Sequence, residues 1–333
     1  MSSKHLTYAD SGVDIKQEEI TIKALTSQMT YRRTGLGAPL TDIGHYAGLI
    51  DFGEYALAMA TDGVGSKVLI ANEMKRWNTI GIDCIAMNVN DLLAVGIEPL
   101  SFVDYLALET HSESFAKQIG EGLVKGAGIS RMTIVGGETA TLPDIINGFD
   151  LAGTCLGMVK KNEIITGELV QTGDVIVGIP STGVHSNGYT LVRKIIKESG
   201  YSYHDPFPND PSTTIGDELL VPTRIYMEVL DVIRECDVHG LAHITGSGLL
   251  KLSRVTDLGF DIYDPIEPND IFKFLQSEGG VTDLEMYKTF NMGMGFVIIL
   301  PENDAEKATS ITGGKIVGRI VESGTKLRDL VIE

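Results

Sequence analysis

Cysteine is scarce in this sequence. Only three of the 333 residues are cysteines, namely Cys84, Cys155 and Cys236, and each is isolated within an apolar stretch. Without a C-x-x-C pair or a Cys/His cluster, neither a zinc site nor a framework of disulfides is indicated. This usage is typical of a reducing compartment, so we expect a cytoplasmic protein.

Long hydrophobic runs and positive charge are scarce as well. No apolar run reaches the roughly 18 residues that a membrane-spanning helix requires, and the polar first ten residues do not resemble a secretory signal. The chain has 27 Lys and Arg against 45 Asp and Glu, a formal net charge of −18. We therefore expect neither nucleic acid nor a membrane as partner, since both attract a basic surface. A phosphate ligand remains compatible with this charge if Mg²⁺ and backbone amides accompany it.

The length of the chain predicts more than one domain, since 333 residues exceed the usual size of a single core. The polar, glycine-containing segment 166–174 follows a predicted strand and marks the boundary. We assign residues 1–168 to an N-terminal domain and residues 169–333 to a C-terminal domain.

Hydrophobic spacing predicts strands and helices in both domains, so the expected fold class is α/β (α+β). Short apolar or alternating runs bounded by turn residues indicate strands, and a 3.6-residue repeat indicates helices. Strands are predicted at 55–60, 100–108, 132–135, 149–160, 175–179, 260–263, 296–300 and 315–321, and helices at 14–24, 67–76, 81–94, 112–127, 219–235 and 303–309, with another helix beginning near residue 190.

The first candidate site follows the predicted strand 55–60. Asp62 is a hard oxygen ligand suited to Mg²⁺, and Lys67 carries a charge suited to phosphate. Between them Gly63, Gly65 and Ser66 offer backbone amides and a hydroxyl, because glycine lets a ligand approach the main chain. The motif indicates a metal-phosphate contact; the alternative is a tight turn with Lys67 at the solvated start of a helix. The spacing is not that of a P-loop.

The predicted helix 81–94 contains polar residues that do not fall on one face. Asn88, Asn90 and Asp91 interrupt an otherwise apolar pattern, although Asn and Asp disfavour helix interiors. One interpretation is that Asp91 binds a metal and that Asn88 or Asn90 orients it. The alternative is that these side chains only cap the helix or join it to a neighbour.

Two later stretches are rich in glycine and polar side chains. Residues 136–140 follow the predicted strand 132–135, and Glu138 there is either a second metal or substrate contact or simply a loop carboxylate. Residues 180–189 follow strand 175–179 and precede a helix, whose N-terminal amides favour anions. The candidate ligand contacts in these stretches are Gly136, Gly137, Glu138 and Thr139, and Thr182, Gly183, His185, Ser186 and Asn187.

Together these stretches resemble the aminoimidazole ribonucleotide synthetase family, the phosphoribosylformylglycinamidine cyclo-ligases of purine biosynthesis. The resemblance runs nearly end to end and keeps the order of the motifs. The matching residues are 8 with 10–14, 61–67, 81–83 with 90–91, 98–99, 136–140, 185–189, 222–226, 242–246, and 286–287 with 290–291.

The resemblance implies a fold and a reaction. The N-terminal domain would contribute strands to a barrel shared across a homodimer, and the C-terminal domain would be an α/β layer that completes the cleft. ATP would phosphorylate the formyl amide oxygen of formylglycinamidine ribonucleotide, and a nitrogen would then displace that phosphate to close the ring. By this resemblance Asp62 and Asp91 would hold Mg²⁺ with the assistance of Glu138, while Lys67 would contact phosphate. His185 is the best candidate for a general base.

Two other classes remain open. One is a small-molecule kinase or activating enzyme of the same superfamily, such as thiamine monophosphate kinase or selenophosphate synthetase. The other is a nucleotide-sensing subunit without activity, which would retain the phosphate turns but would not need both Asp62 and Asp91.

Overall fold

A mixed five-stranded sheet forms the framework of the first half of the chain. The computed structural model describes residues 6–7, 11–12 and 15–332. The strands are β1 (Gly48–Phe52), β2 (Tyr55–Gly63), β3 (Glu98–Leu108), β4 (Thr133–Thr141) and β5 (Phe149–Lys160). Their order across the sheet is β1-β2-β5-β3-β4, and only the β3–β4 pair is parallel.

Helices cover one face of this sheet. They are α3 (Ile80–Leu93) and α4 (Glu113–Ile129); the other helices of this half are α1 (Ile15–Thr26), whose described side chains are mostly exposed, and α2 (Lys67–Met74). The almost fully buried α3 packs against β2 and β5, and α4 packs on α3. A Cβ atom at Gly81 would lie 2.2 Å from the Leu123 nitrogen, so only glycine permits this close approach of the two helices.

A seven-stranded sheet forms the second half. Its strands are β6 (Val175–Pro180), β9 (Gly240–His243), β10 (Gly259–Ile262), β11 (Met294–Leu300), β12 (Lys315–Val321), β13 (Thr325–Leu327) and β14 (Leu330–Val331), in the order β14-β13-β10-β12-β6-β11-β9. A small hairpin pairs β7 (Pro206–Phe207) with β8 (Asp210–Thr214). The helices are α5 (Tyr189–Ser199), α6 (Ile215–Leu219), α7 (Val229–Glu235), α8 (Asp270–Gly279), α9 (Asp283–Thr289) and α10 (Glu302–Thr312).

Most of the predicted elements are confirmed. The strands predicted at 149–160 and 315–321 match β5 and β12 in full, and Ser112 caps α4 by accepting a hydrogen bond from the Phe115 amide. The helix predicted from residue 14 is present as α1, and most of the motif at 8–14 lies outside the described residues. The interval 161–174 joins the two sheets, and the division proposed at 168/169 falls inside it.

Two predictions of local structure are wrong. Residues 136–140 do not form a loop beyond a strand end, because β4 continues through them to Thr141. Residues 219–235 do not form one helix: Pro222 lacks an amide hydrogen and interrupts the pattern, so α6 ends at Leu219 and α7 begins at Val229. Within the described part of the chain, no helix combines the length and apolar character that crossing a membrane demands.

Candidate active site

Two carboxylates lie together where the sheets meet. Asp62 is near the end of β2, and Asp91 is in the last turn of α3. The Asn88 amide donates to the Asp62 carbonyl at 3.2 Å and so holds α3 against the end of the strand. From the second sheet, His243 Nδ1 lies 2.9 Å from Asp91 Oδ1. Both domains therefore contribute to one polar site.

The negative charges of Asp62 and Asp91 repel each other, and neighbouring groups neutralise them only in part. Burial, and then the negative charge of Asp91, raise the pKa of Asp62. The Gly63 amide, which donates to Asp62 Oδ1 at 2.7 Å, opposes this rise, as do the nearby His243 and Lys251. A cation bound between the two carboxylates would remove the repulsion that the structure leaves in place.

The donor set fits Mg²⁺. Among residues 15–332, the hydrogen bonds of Asp62 and Asp91 engage one side-chain oxygen of each, and the second oxygen of each carboxylate has no protein partner. No group of three or more His, Cys, Asp or Glu in that part of the chain is arranged around a common centre. Mg²⁺ commonly takes one or two carboxylates and completes its shell with waters and substrate phosphates.

Asn90 lies at the junction of the domains rather than facing open space. Its amide donates to the Arg224 carbonyl at 2.9 Å, and its oxygen accepts from the Tyr226 amide at 3.1 Å. The side chain is fully buried. Asn90 therefore orients the segment after α6 against α3. This agrees with the alternative interpretation, in which the polar side chains of the helix join it to a neighbour.

Lys67 is placed differently from the prediction. Its ammonium is fully buried, lies 2.9 Å from Asp83 Oδ2 and donates to the Val221 carbonyl at 2.8 Å. Thr223 also donates to Asp83 through its amide and its hydroxyl, at 2.8 and 2.7 Å. The pair therefore joins the two domains, and the contact of Lys67 with phosphate stays a prediction.

The turn at residues 180–189 lies against the first candidate segment. Ser66 Oγ is 3.4 Å from Thr190 Oγ1 at the start of α5, and the Asn187 amide contacts the Met87 sulfur of α3. Ser186 Oγ is 3.1 Å from Thr223 Oγ1, beside the Lys67–Asp83 pair. The turn is shaped by Gly183, whose carbonyl accepts from Asn291, and by Thr182, which donates to the Pro222 carbonyl. Gly65 in the facing segment has a left-handed φ of 71°.

His185 lies beneath this turn. The ring is buried against Tyr226, and its Nε2 accepts from the Thr182 amide at 3.2 Å. Burial above all, and then the charges of His243, Lys67 and Arg224, lower its pKa well below the ordinary value. The imidazole is thus neutral with Nε2 engaged by the Thr182 amide, and its assignment as the general base stays a prediction.

Glu138 is separated from the carboxylate pair. Asp62 lies on β2 and Glu138 on the edge strand β4, three strand positions away, or about 14 Å. Glu138 pairs with the exposed Tyr105, whereas its neighbour Gly137 pairs with Asp104 on the helix-covered face. Within one chain this separation is too large for Glu138 to share one metal ion with Asp62, whereas the cofactor contacts of Gly136, Gly137 and Thr139 stay predictions.

Three residues at the site were missed by the sequence reasoning. His243 ends β9 beside Asp91, Lys251 is half-buried near both carboxylates, and Tyr46 donates to the Lys251 carbonyl at 3.2 Å. Burial and the charge of Arg254 lower the pKa of Lys251 to about 8, while Asp91 and Asp62 oppose the shift. Residues 242–246 belong to the stretches that carry the family resemblance, but no ligand contact was predicted within them or at Lys251.

Two protein-family models match this chain, one over each half. Residues 44–159 match the family model described as AIR synthase related protein, N-terminal domain, and residues 171–329 match that of the C-terminal domain. The chain belongs to the AIR synthase related family. The first matched region contains the five-stranded sheet except for the last residue of β5, and the second contains the seven-stranded sheet except for β14.

Full-length relatives share most of the sequence. The phosphoribosylformylglycinamidine cyclo-ligase of Methanococcoides burtonii is 82% identical over 332 residues, and that of Methanosarcina mazei is 79% identical over 333; each match covers 100% of both chains. A solved structure described as AaThiL complexed with AMPPCP and TMP covers 95% of each chain with a TM-score of 0.68 at 15% identity. At that identity the structural likeness establishes the fold alone.

Proposed function

We propose that this chain is a phosphoribosylformylglycinamidine cyclo-ligase of purine biosynthesis. The observation that carries the proposal is the similarity to cyclo-ligases over the whole length, in a chain that also brings Asp62 and Asp91 together at the domain junction. The substrates are formylglycinamidine ribonucleotide and ATP. The products are aminoimidazole ribonucleotide, ADP and phosphate.

The reaction needs activation because an amide oxygen is a poor leaving group. The γ-phosphoryl group passes from ATP to the formyl amide oxygen and ADP leaves. An amidine nitrogen of the substrate then attacks the formyl carbon; the new C–N bond forms, the C–O bond to phosphate breaks, and a proton is released. Catalysis of such a transfer consists mainly of positioning the reactants and neutralising charge.

The proposed cofactors are ATP and Mg²⁺. Asp62 and Asp91 would hold the metal, which would supply positive charge at the phosphates. AaThiL, a neighbour of the same fold, was solved with the nucleotide analogue AMPPCP, and this supports a nucleotide site in the fold. In this chain His243 orients Asp91, and the contacts of Asn90 with Arg224 and of Thr223 with Asp83 keep the two domains in register around the site.

A direct assay tests the proposal. Purified protein supplied with formylglycinamidine ribonucleotide, ATP and MgCl₂ is expected to form aminoimidazole ribonucleotide, ADP and phosphate in equal amounts. Folded protein that forms no aminoimidazole product would contradict the proposal. ATP consumption with thiamine monophosphate as acceptor would instead indicate a kinase, and ATP binding without any turnover would indicate a sensor.

We propose further that the chain forms a homodimer through the uncovered face of the five-stranded sheet, as the barrel arrangement of the family would require. No described helix covers this face, and large apolar side chains are exposed on it. An exposed apolar sheet face of this kind favours association. The residues are Tyr55, Met59, Leu100, Val103, Tyr105, Val135 and Met158. We also propose a cytoplasmic location, which the three free cysteines support.

Disrupting that face is expected to separate the subunits. The wild type should have about twice the 35.9 kDa mass of one chain in sedimentation equilibrium, whereas Val103→Glu should be monomeric at micromolar concentration. Val124→Glu is the matched control, because Val124 is an exposed valine of α4 on the opposite side of the sheet. A monomeric wild type, or a Val103→Glu protein that dimerises as tightly as the wild type, would contradict the assignment.

A further inference from the structure

Lys251 is a half-buried lysine beside the domain junction, and its surroundings differ from those of Lys67. Lys67 already has Asp83 and a backbone carbonyl as partners. The charge of Lys251 interacts with Asp62 and with Asp91, and also with Glu18 on α1. Among the described residues no carboxylate lies within ion-pair distance of its ammonium. The side chain therefore stands beside the carboxylate pair without being paired to either member.

The backbone at Lys251 is held firmly. It belongs to a 3₁₀ turn, Gly248–Arg254, which follows the strand that carries His243. Gly248 has a φ of 50°, and a Cβ atom there would lie 2.0 Å from the Tyr287 carbonyl oxygen, so the turn requires glycine at this point. The Tyr46 hydroxyl donates to the Lys251 carbonyl at 3.2 Å, which fixes the segment to the first domain.

A second cation reinforces the charge at this position. The Arg254 guanidinium lies 5.7 Å from the centre of the Tyr46 ring, one helical turn after Lys251. Two positive groups on one turn are notable in a chain of net charge −18, because their mutual repulsion disfavours the pair in the absence of an anion. A nucleotide chelated at the carboxylate pair would place its phosphates beside these cations and relieve that repulsion.

We propose that Lys251 is a nucleotide-binding residue, which donates a hydrogen bond to a phosphate oxygen of the nucleotide held at Asp62 and Asp91. Arg254 supports it as a positioning residue through Tyr46 and through its charge. The assignment rests on the proposed ATP site, and it transfers to Lys251 the phosphate contact that the sequence motif attributes to Lys67. Lysine suits this task because its ammonium is a compact, flexible point charge.

Nucleotide affinity tests the assignment without relying on turnover. Isothermal titration of Lys251→Met with ATP and with ADP, each with MgCl₂, is expected to give Kd values about 10- to 100-fold higher than the wild type, the usual weight of a charge-assisted hydrogen bond. Adenosine, which has no phosphate, should compete for the site equally well in both proteins. Lys251→Arg should recover most of the lost affinity because it retains the charge. Lys273→Met, an exposed lysine of α8, is the control and should bind like the wild type.

The outcomes separate this assignment from the proposed function. A Lys251→Met protein that binds Mg-ATP with wild-type affinity overturns the assignment, even if the cyclo-ligase assay succeeds. The cyclo-ligase assay could also fail while the wild type binds Mg-ATP and Lys251→Met does not bind it. That result would support the phosphate contact and would contradict only the proposed reaction. Equal loss of adenosine affinity would mean that the variant disturbs the whole site, which also contradicts a contact confined to phosphate. The unfolding midpoint of each variant verifies that the protein titrated is folded.

Discussion

Turnover is expected to fall on the order of a thousandfold when either Asp62 or Asp91 is replaced by asparagine. The amide is nearly isosteric with the carboxylate, and its oxygen can still accept from the Gly63 amide in one variant and from His243 in the other. What each variant loses is the negative charge that would hold Mg²⁺. A large loss of rate with the contacts retained would therefore report on metal binding rather than on folding.

The measurement pairs kinetics with binding. Initial rates of aminoimidazole ribonucleotide formation give the loss of turnover, and ADP titrations with and without MgCl₂ give the contribution of the metal to affinity. In the wild type MgCl₂ should strengthen ADP binding, whereas in both variants that gain should disappear. Asp270→Asn, an exposed carboxylate of α8, serves as the control and should behave like the wild type. Near-normal turnover in either site variant would remove that residue from the metal site.

Stability provides a second readout with a defined sign. Because the pKa of Asp62 is raised in the folded protein, the folded state holds this proton more tightly than the unfolded state. The free energy of unfolding therefore falls as pH rises from the ordinary carboxyl pKa through the raised one. Above the raised pKa the full penalty is present. Without metal or nucleotide, Asp62→Asn should then unfold at the same temperature as the wild type or a higher one.

Local patterns predicted the part of the site that depends on neighbours in sequence. The sequence alone predicts an apolar strand that leads to Asp62. It also predicts a helix that polar residues interrupt near Asp91. Their meeting at one point follows from α3 packing on β2, which the apolar face of the helix already favours. The position of Glu138 relative to Asp62 could not be predicted from the sequence. Its face is set by a shift in the register between β3 and β4, which a single strand does not reveal.

Lys251 and His243 were not predicted, and the reason differs from that for Glu138. Both owe their role to groups distant in sequence, since His243 meets Asp91 across 152 residues and Lys251 meets Tyr46 across 205. A 3₁₀ turn is also too short to carry a hydrophobic repeat. The stretch 242–246 before it matched the family pattern, but only the packing of the second sheet on the first brings Lys251 near the two carboxylates.

Lys67 provides the sharpest contrast between motif and structure. Replacing it with methionine is expected to lower the free energy of unfolding by about 3–5 kcal/mol, because Asp83 would remain buried without its cation. The Kd for Mg-ATP measured on the folded protein should stay within about twofold of the wild type. Urea denaturation measures the first quantity and isothermal titration the second. Lys307→Met, which removes an exposed ion pair with Glu235, should cost less than about 1 kcal/mol.

A double variant tests whether the buried charge causes that loss. Adding Asp83→Asn to Lys67→Met removes the unpaired charge while retaining an oxygen that can accept from the Thr223 amide and hydroxyl. The double variant should therefore be more stable than the sum of the two single losses predicts. Strict additivity, or a Lys67→Met protein of wild-type stability with strongly weakened nucleotide binding, would return Lys67 to the phosphate role that its motif indicates. Under the proposed assignment, Lys67 joins the two domains through Asp83, whereas Lys251 contacts the nucleotide.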